Sequence, residues 1–254
     1  MSPSSPHTVD AVETTLDVLC GLAESGEAGV TELATRLDLP KSTVHSHLST
    51  LRERGFVVTD GSRYRVGLRS LEVGARARRQ HRVYEVARPE VNRLADETGE
   101  LANLMVEERG LGTYLHRSRG PEAVSVGAFI GVRVYLHGTA LGKAILAHLP
   151  DDRVAEIVAR RGLPAVTDRT TTDVDTLRDE LETVREQGYA LDDEEHHDGL
   201  RCLAAPIRDS DGRVLGAMSV SGPTKRMRGE RLEEELPRLL EERTNVVALN
   251  LTHA

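Results

Sequence analysis

The chain is short of cysteine, lysine and aromatic residues, and each shortage narrows the reading. Its 254 residues include two cysteines, Cys20 and Cys202, far apart in sequence. No CxxC pair or zinc-finger spacing can be drawn from two such residues, so a cysteine-built metal fold is excluded. In a reducing compartment both are expected as free thiols. No apolar run approaches the roughly 18 residues that a membrane span requires. No signal-peptide pattern opens the chain either, and a cytoplasmic protein with no membrane partner is expected. Lysine occurs only at Lys41, Lys143 and Lys225, so arginine supplies nearly all the positive charge. Acidic residues outnumber basic ones 41 to 33, for a net charge of −8. That balance, with arginine so favoured over lysine, fits a GC-rich, salt-adapted source.

Against that acidic background one stretch is basic. Between Arg36 and Arg82 there are 11 Lys+Arg and 4 Asp+Glu, a local balance of +7, which leaves −15 for the remainder. Positive charge gathered in one segment is the footprint of a nucleic-acid binder, and an acidic remainder keeps the rest of the molecule off the phosphates.

The same stretch has the pattern of a winged helix-turn-helix. Thr31 is a candidate N-cap for a helix carrying Leu33, Ala34 and Leu37. Asp38-Leu39-Pro40 ends it, because the residue before a proline is pushed out of the α region. A second helix begins at Pro40, and Val44, Leu48 and Leu51 form its buried stripe. Opposite that stripe lie Ser42, Ser46, Ser49 and Glu53, flanked by Thr43, His45 and Thr50. With Lys41 in the first turn, Ser42, Thr43, His45, Ser46 and Ser49 are the candidate DNA-reading residues. Gly55 is a natural C′ residue. Residues 56–59 and 63–66 read as a hairpin around Asp60-Gly61-Ser62, with Arg63 and Arg65 on a wing that meets phosphates. Helix, turn, helix and hairpin also occur in packing modules that never touch DNA, and the charge argues against that alternative.

Around this reader the chain divides. Residues 9–25 read as a first helix with Val12, Leu16, Leu19 and Leu22 on its apolar face, able to pack on the reader or meet a second copy. Residues 68–80 read as a connecting helix bearing Arg76, Arg78 and Arg79. A helix over 83–98 must accommodate Pro89 in a first turn or at a kink. Strands are expected at 101–106, 112–116 and 124–127, then helices at 139–148, 151–161 and 175–187, the last capped by Asp173 and closed by Gly188. Two strands at 200–207 and 214–221 form a hairpin, and a long helix over 230–253 ends the chain. Antiparallel strands with helices stacked on them make an α+β domain. The expected domains are residues 1–67 as winged helix-turn-helix, 68–82 as linker helix and 83–254 as a sensory and oligomerisation domain.

Four separated motifs carry a resemblance. LPKSTVHSHLSTLRERGFV in the reader, YRVGLRSLEVG at the junction, LHGTALGKAILA further on, and the long GYALDDEEHHDGLRCLAAPIRDSDGRVLGAMSVSGPTKRM resemble the IclR family of transcriptional regulators in the same order. The resemblance implies a winged helix-turn-helix, a linker helix, and a GAF-like α/β effector-binding domain with a mainly antiparallel sheet. It also implies dimers or tetramers on palindromic double-stranded operators. His-Ser-His at positions 45–47 departs from the arginine and apolar residues common in the family, so base preferences are not transferable.

Ser219 and Ser221 are two apart, so on a strand they share a face. With Asp192, Cys202 and Leu200 they set a few polar groups among apolar neighbours, as a small-molecule site requires. The resemblance adds the helix start at Ala140 and Leu141, whose free N–H groups suit a carboxylate, and implies a small organic or aromatic acid as effector. Aromatics near such a pocket are few beyond Phe129 and Tyr135, which leans away from a large aromatic effector. The bland alternative makes Ser219, Ser221 and Gly222 turn and hydrogen-bonding residues of a structural hairpin. His196, His197 and a carboxylate could hold a divalent ion, but adjacent histidines point apart on most backbones, and no metal or other cofactor is expected. Cys202 with either histidine lacks an oxyanion motif, so a nucleophile is not expected. An effector-controlled DNA-binding regulator that is not an enzyme is the favoured reading. An enzyme with a fused DNA-binding domain, or a ligand-independent DNA-binding or interaction protein, is the alternative.

Overall fold

Glycine and proline punctuate the first elements. The computed structural model describes residues 8–125, 127 and 129–253, in two units that divide between Ala77 and Arg78. In the first unit, helix α1 (Asp10–Ser25) stops at Gly26 with φ 72°, and strand β1 (Ala28–Gly29) leads into α2 (Val30–Leu37). The N-cap of α2 is Gly29 rather than Thr31, because the Glu32 carboxylate reaches back to accept the Gly29 N–H at 2.9 Å and satisfies a donor that the cap leaves open. Asp38 ends α2 in the left-handed region, and Pro40 precedes α3 (Lys41–Glu53). At the far end of α3, Gly55 donates to the Arg52 carbonyl and Phe56 to the Leu51 carbonyl. These paired bonds close a Schellman motif, which needs the positive φ that Gly55 supplies.

The hairpin is β2 (Val57–Asp60) and β3 (Arg63–Val66), joined by Gly61 and Ser62. Two-residue β1 pairs with the other edge of β3, giving the order β1-β3-β2. Such a strand is too short to leave a periodic trace in sequence. Val18, Leu22, Leu33, Val44, Leu48, Leu51 and Val57 pack one core. Leu22 of the expected α1 face enters it, whereas Val12 and Leu16 stay about half exposed, at 54% and 53%.

Helix α4 (Arg69–Arg79) runs across the division between units. The second unit continues with α5 (Arg82–Thr98), which passes through Pro89 in its interior. Pro89 and Glu85 both lie on the exposed side, where water can serve the Glu85 carbonyl that loses its N–H partner. Strands β4 (Leu101–Glu108), β5 (Leu111–Arg119) and β6 (Arg133–Val134) follow, then α6 (Ala140–Leu146), α7 (Asp151–Arg161) and α8 (Val174–Gln187). Asp173 caps α8 by accepting from Thr176 N. The chain closes with β7 (Ala190–Asp193), β8 (Leu200–Arg208), β9 (Val214–Pro223), one π turn at Arg231–Glu235 and α9 (Leu236–His253). The strand expected at 124–127 is not formed at 124, 125 and 127, and Val126 lies outside the described residues. β6 pairs with β5 instead.

The six strands form one antiparallel sheet in the order β6-β5-β4-β9-β8-β7. Alternation sorts their side chains onto two faces. Ala102, Leu104, Val106, Leu203, Ala205, Ile207, Met218 and Val220 pack against α5 and α9. Met105, Ala190, Ala204 and Ala217 face α6 and α8.

Leu48 is fully buried and holds α3 to the reader core, so Leu48→Ala should lower that unit's unfolding free energy by about 2–5 kcal/mol. Leu16→Ala should change it by under about 0.5 kcal/mol. Urea denaturation of the full chain, followed by circular dichroism and by DNA binding, checks the pair.

Candidate functional site

Two sites emerge, one in each unit. In the first, α3 turns Lys41, Ser42, His45 and Ser46 to solvent while Val44, Leu48 and Leu51 go inward. Thr43 and Ser49 are half-buried at the edges of this exposed face. Ser46 donates its hydroxyl to the Ser42 carbonyl at 3.0 Å, which leaves its oxygen lone pairs for a partner. His47 turns the other way, its Nδ1 2.8 Å from Thr15 Oγ1 on α1.

The two wing arginines differ. Arg63 is tied inside the reader, with Nε 3.0 Å from Glu27, Nη1 3.3 Å from Glu32 and Nη2 donating to the Glu27 carbonyl. Its charge is already answered by two carboxylates, so it does not present a free guanidinium as the wing pattern suggests. Arg65 is exposed, with no partner among the described residues.

The second site lies on the sheet face turned toward α6. Antiparallel register aligns Arg117, Asn103, Ser219 and Ala204 on neighbouring strands, and in the next row Leu101, Ser221, Cys202 and Asp192. Leu101, Asn103, Tyr114, Arg117, Asp192, His196, His197, Leu200, Cys202 and Ser221 enclose a cavity of about 30 Å³. Ser219 touches it through Asn103, whose Nδ2 donates to Ser219 Oγ at 3.1 Å and to Ser221 Oγ at 3.3 Å. Ala140 and Leu141 do not line the cavity but are buried with Met105, Ala204 and Ala217 on the α6 side of the sheet, and Thr139 Oγ1 already accepts the Gly142 N–H at the start of α6. A larger groove of about 610 Å³ runs beside α7 and α8. Its charged residues Asp151, Arg178, Glu182 and Arg185 belong to exposed helix faces, where Arg185 is already paired with Asp151 at 3.1 Å.

Sequence reasoning finds Asp192, Leu200, Cys202 and Ser221 but misses Asn103, Tyr114 and Arg117. The reason is a β-bulge. Leu104 pairs with His116 and Met105 with Tyr114, so Leu115 is skipped. In a regular strand, residues three apart face opposite ways. The bulge instead puts Tyr114 and Arg117 on the cavity side, with the guanidinium 5.3 Å from the Tyr114 ring centroid. Leu115 and His116 both turn toward α5, where Leu115 packs with Leu104 and Val106 and His116 Nε2 sits 2.8 Å from Asn92 Oδ1.

The roof of the cavity is the loop between β7 and β8, pinned from below at three points. Asp192 Oδ1 accepts the N–H groups of Glu195 at 2.8 Å and His196 at 3.3 Å. The Glu195 carboxylate accepts from buried Lys143 at 2.5 Å, and Lys143 also reaches Glu180 at 3.0 Å. Burial alone would lower the Lys143 pKa, but the two carboxylates outweigh it and hold the ammonium charged. Thr170 Oγ1 donates to the Glu195 carbonyl at 2.7 Å. His196 and His197 stack edge to face, their ring centroids 4.5 Å apart. Among the described residues no group of three His, Cys, Asp or Glu side chains is arranged to hold a metal ion.

Burial dominates the electrostatics here. It pushes Asp192 up to about 7 and His196 down to about 4. Cys202 keeps some surface on the cavity, yet desolvation of its thiol and the neighbouring Asp192 carboxyl raise its pKa well above the ordinary value, the opposite of a poised nucleophile.

The two large shifts oppose each other in stability. Between pH 3.8 and about 7 the folded chain holds the Asp192 proton that the unfolded chain loses, so stability falls as pH rises. Between about 4 and 6.5 the folded chain leaves His196 neutral while the unfolded chain binds a proton, so stability rises with pH. In the native protein the two slopes largely cancel. Relative to it, Asp192→Asn should tilt unfolding free energy upward from pH 4.5 to 6.5, by up to about 1.4 kcal/mol per unit. His196→Gln should tilt it downward. Urea melts across that range measure both, and parallel curves for all three proteins would contradict the burial argument.

The chain matches the IclR helix-turn-helix domain over residues 11–61 and the bacterial transcriptional regulator IclR C-terminal domain over residues 75–247. It is 38% identical to the HTH-type transcriptional regulator BhcR of Paracoccus denitrificans, over 88% of this chain and 81% of that one. It is 33% identical to the transcriptional repressor IclR of Escherichia coli, over 89% and 84% of the two chains. A crystal structure of an IclR homologue from Microbacterium hydrocarbonoxydans, complexed with 4-hydroxybenzoate, superposes with TM-score 0.82 at 26% identity, covering 96% of this chain and all of that one. With a reader helix beside its wing in one unit and a polar cavity in the other, the chain belongs to the IclR family of DNA-binding transcriptional regulators.

Proposed function

We propose that a small acid enclosed in the second unit changes this regulator's affinity for a palindromic operator. The observation that carries the reading is the buried, mutually bonded polar group Asn103, Ser219 and Ser221, of which Asn103 and Ser221 line a cavity. Buried polar groups are costly unless partnered, and a site that orients hydroxyls toward a hollow suits a polar ligand. The 4-hydroxybenzoate of the Microbacterium homologue is the precedent for an acid. A benzoate is larger than the hollow of about 30 Å³, so in this chain it would have to displace the His196–His197 loop.

Residues 1–67 bind DNA in this reading, 68–82 link, and 83–254 hold the effector and the oligomer contacts. The exposed Val12 and Leu16 on α1, and Leu71 and Val73 on α4, are apolar surfaces on which a second copy can seat to form a homodimer or tetramer. Ligand binding then biases one arrangement of two readers over another. Catalysis is not needed, and the raised pKa of Cys202 argues against it.

A duplex selected from a random pool by the full chain provides the test, with fluorescence anisotropy as readout. Arg65→Ala should weaken selected and random duplexes alike and reduce the salt slope by about one. Arg63→Ala should do less, because Glu27 and Glu32 already hold that charge. Ser42→Ala or Ser46→Ala should lower preference for the selected duplex by roughly tenfold while leaving random DNA unchanged. Equal losses on both duplexes from the serine changes would displace the reading face. A Ser219→Ala plus Ser221→Ala double variant should bind the operator normally and ignore acids, and a normal acid response would remove the serines from the site.

A further inference from the structure

The side chains that hold the roof of the cavity are of unequal standing. Asp192 lies on β7 itself, three residues before Glu195, so its two bonds shape the loop without tying it to another element. Thr167 and Thr170 donate to the Glu194 and Glu195 carbonyls from the stretch between α7 and α8, which is neither helix nor strand. Lys143 is different. It stands on α6, a helix buried along its whole length and packed with Met105, Ala204 and Ala217 of the sheet. Its ammonium donates to Glu195 Oε1 at 2.5 Å, and the two side chains are 4% and 9% exposed. The other Glu195 oxygen, Oε2, is buried with no hydrogen-bond partner among the described residues. The hold of that carboxylate therefore passes through Lys143.

His196 and His197 follow Glu195 directly and line the cavity. Consecutive Cα atoms lie about 3.8 Å apart, so fixing Glu195 fixes the imidazoles next to it. The hollow beneath them, about 30 Å³, has room for roughly two waters. We propose that Lys143, acting through Glu195, is the residue that limits the size of acid this cavity admits. With the pair made, the imidazoles stay down and an acid of about three carbons fits. A ring-sized acid enters only as Glu195 leaves Lys143, which parts a buried, charge-assisted bond. The inference rests on the reading of this cavity as the effector site and adds the pair that sets the effector's size. Lys143 is a positioning residue: it holds the roof and does not line the cavity. Glu180 also accepts from Lys143, at 3.0 Å, and its other oxygen takes the Thr171 hydroxyl, but neither partner belongs to the roof.

The roof can be read without any ligand. Burial, and next the charges of His197 and Arg117, hold the His196 pKa down at about 4, so a lifted roof returns it toward the ordinary value of about 6.5. NMR titration of the full chain measures it, with the His196 signal assigned by its loss in His196→Gln. Glu195→Ala cuts the pair and leaves Lys143 with Glu180, and Lys143→Met cuts it from the other side. In both, the His196 pKa should rise by roughly one unit or more, whereas Glu180→Gln should leave it in place. Loss of the Glu195 charge alone would push it down, so a rise in Glu195→Ala reports exposure. That variant decides the matter if Lys143→Met does not fold. Titration calorimetry on the same proteins supplies the size test. Cutting the pair should tighten 4-hydroxybenzoate by about tenfold or more and change propionate by less than about threefold. A His196 pKa that stays put in Glu195→Ala, or moves as far in Glu180→Gln, overturns the proposal. So does a lifted roof whose affinity for 4-hydroxybenzoate stays within about twofold of the native chain, and effector control then stands. If neither acid binds any of these proteins, the effector reading of the cavity fails and the size limit with it.

Discussion

The second unit depends on one irregularity in its sheet, the bulge at which β5 skips Leu115 against β4. A strand without it would alternate, and Tyr114 and Arg117 would lie on opposite faces. With it, two consecutive residues, Leu115 and His116, face α5, and Tyr114 and Arg117 flank the cavity together. Bulges are devices for re-aiming side chains beside functional sites, and this one assembles the charged end of the pocket. Register does the rest. β4 pairs with β5 on one side and β9 on the other, so Arg117, Asn103 and Ser219 fall into line across three strands. A one-residue slip of β9 would send both serines into the core around Leu104 and Leu203 and turn Met218 and Val220 out of it.

Polar groups can be buried here because they satisfy one another. Asn103 is 2% exposed and uses both ends of its amide, toward Arg117 and toward the serines. Asp192, also 2% exposed, caps the loop above by accepting two backbone N–H groups. Lys143 stands in the α6 core only because Glu195 and Glu180 meet it, and removing the lysine would leave the buried Glu195 carboxylate unpaired, a loss of about 3–5 kcal/mol. The loop bearing His196 and His197 is therefore fastened at its base, while His197 remains exposed at its tip.

Periodicity made most of the fold legible. The α3 stripe of Val44, Leu48 and Leu51, the Gly55 stop, the Asp173 cap and the β8–β9 hairpin all rest on local chemistry that a sequence displays. Failures came where structure is not local. β1 and β6 are two residues long and exist only because an edge of β3 or β5 accepts them. The Arg63 side chain reads as a wing contact until Glu27 and Glu32, some thirty residues earlier, are seen to hold it. In the cavity, the cysteine, the serines and Asp192 lie in one motif-bearing stretch. Asn103, Tyr114 and Arg117 come from strands about a hundred residues away, and only register and a bulge bring them over.

The bulge also connects two environments inside the second unit. On one side Arg117 sits at the cavity. On the other, His116 meets Asn92 and packs at 6.2 Å against Tyr84, whose ring lies 4.3 Å below the Arg78 guanidinium. Arg78 is the first residue of this unit, in the last turn of the helix that brings the chain from the DNA reader. Because Leu115 has no partner residue on β4, the segment around it is less constrained by the ladder than its neighbours.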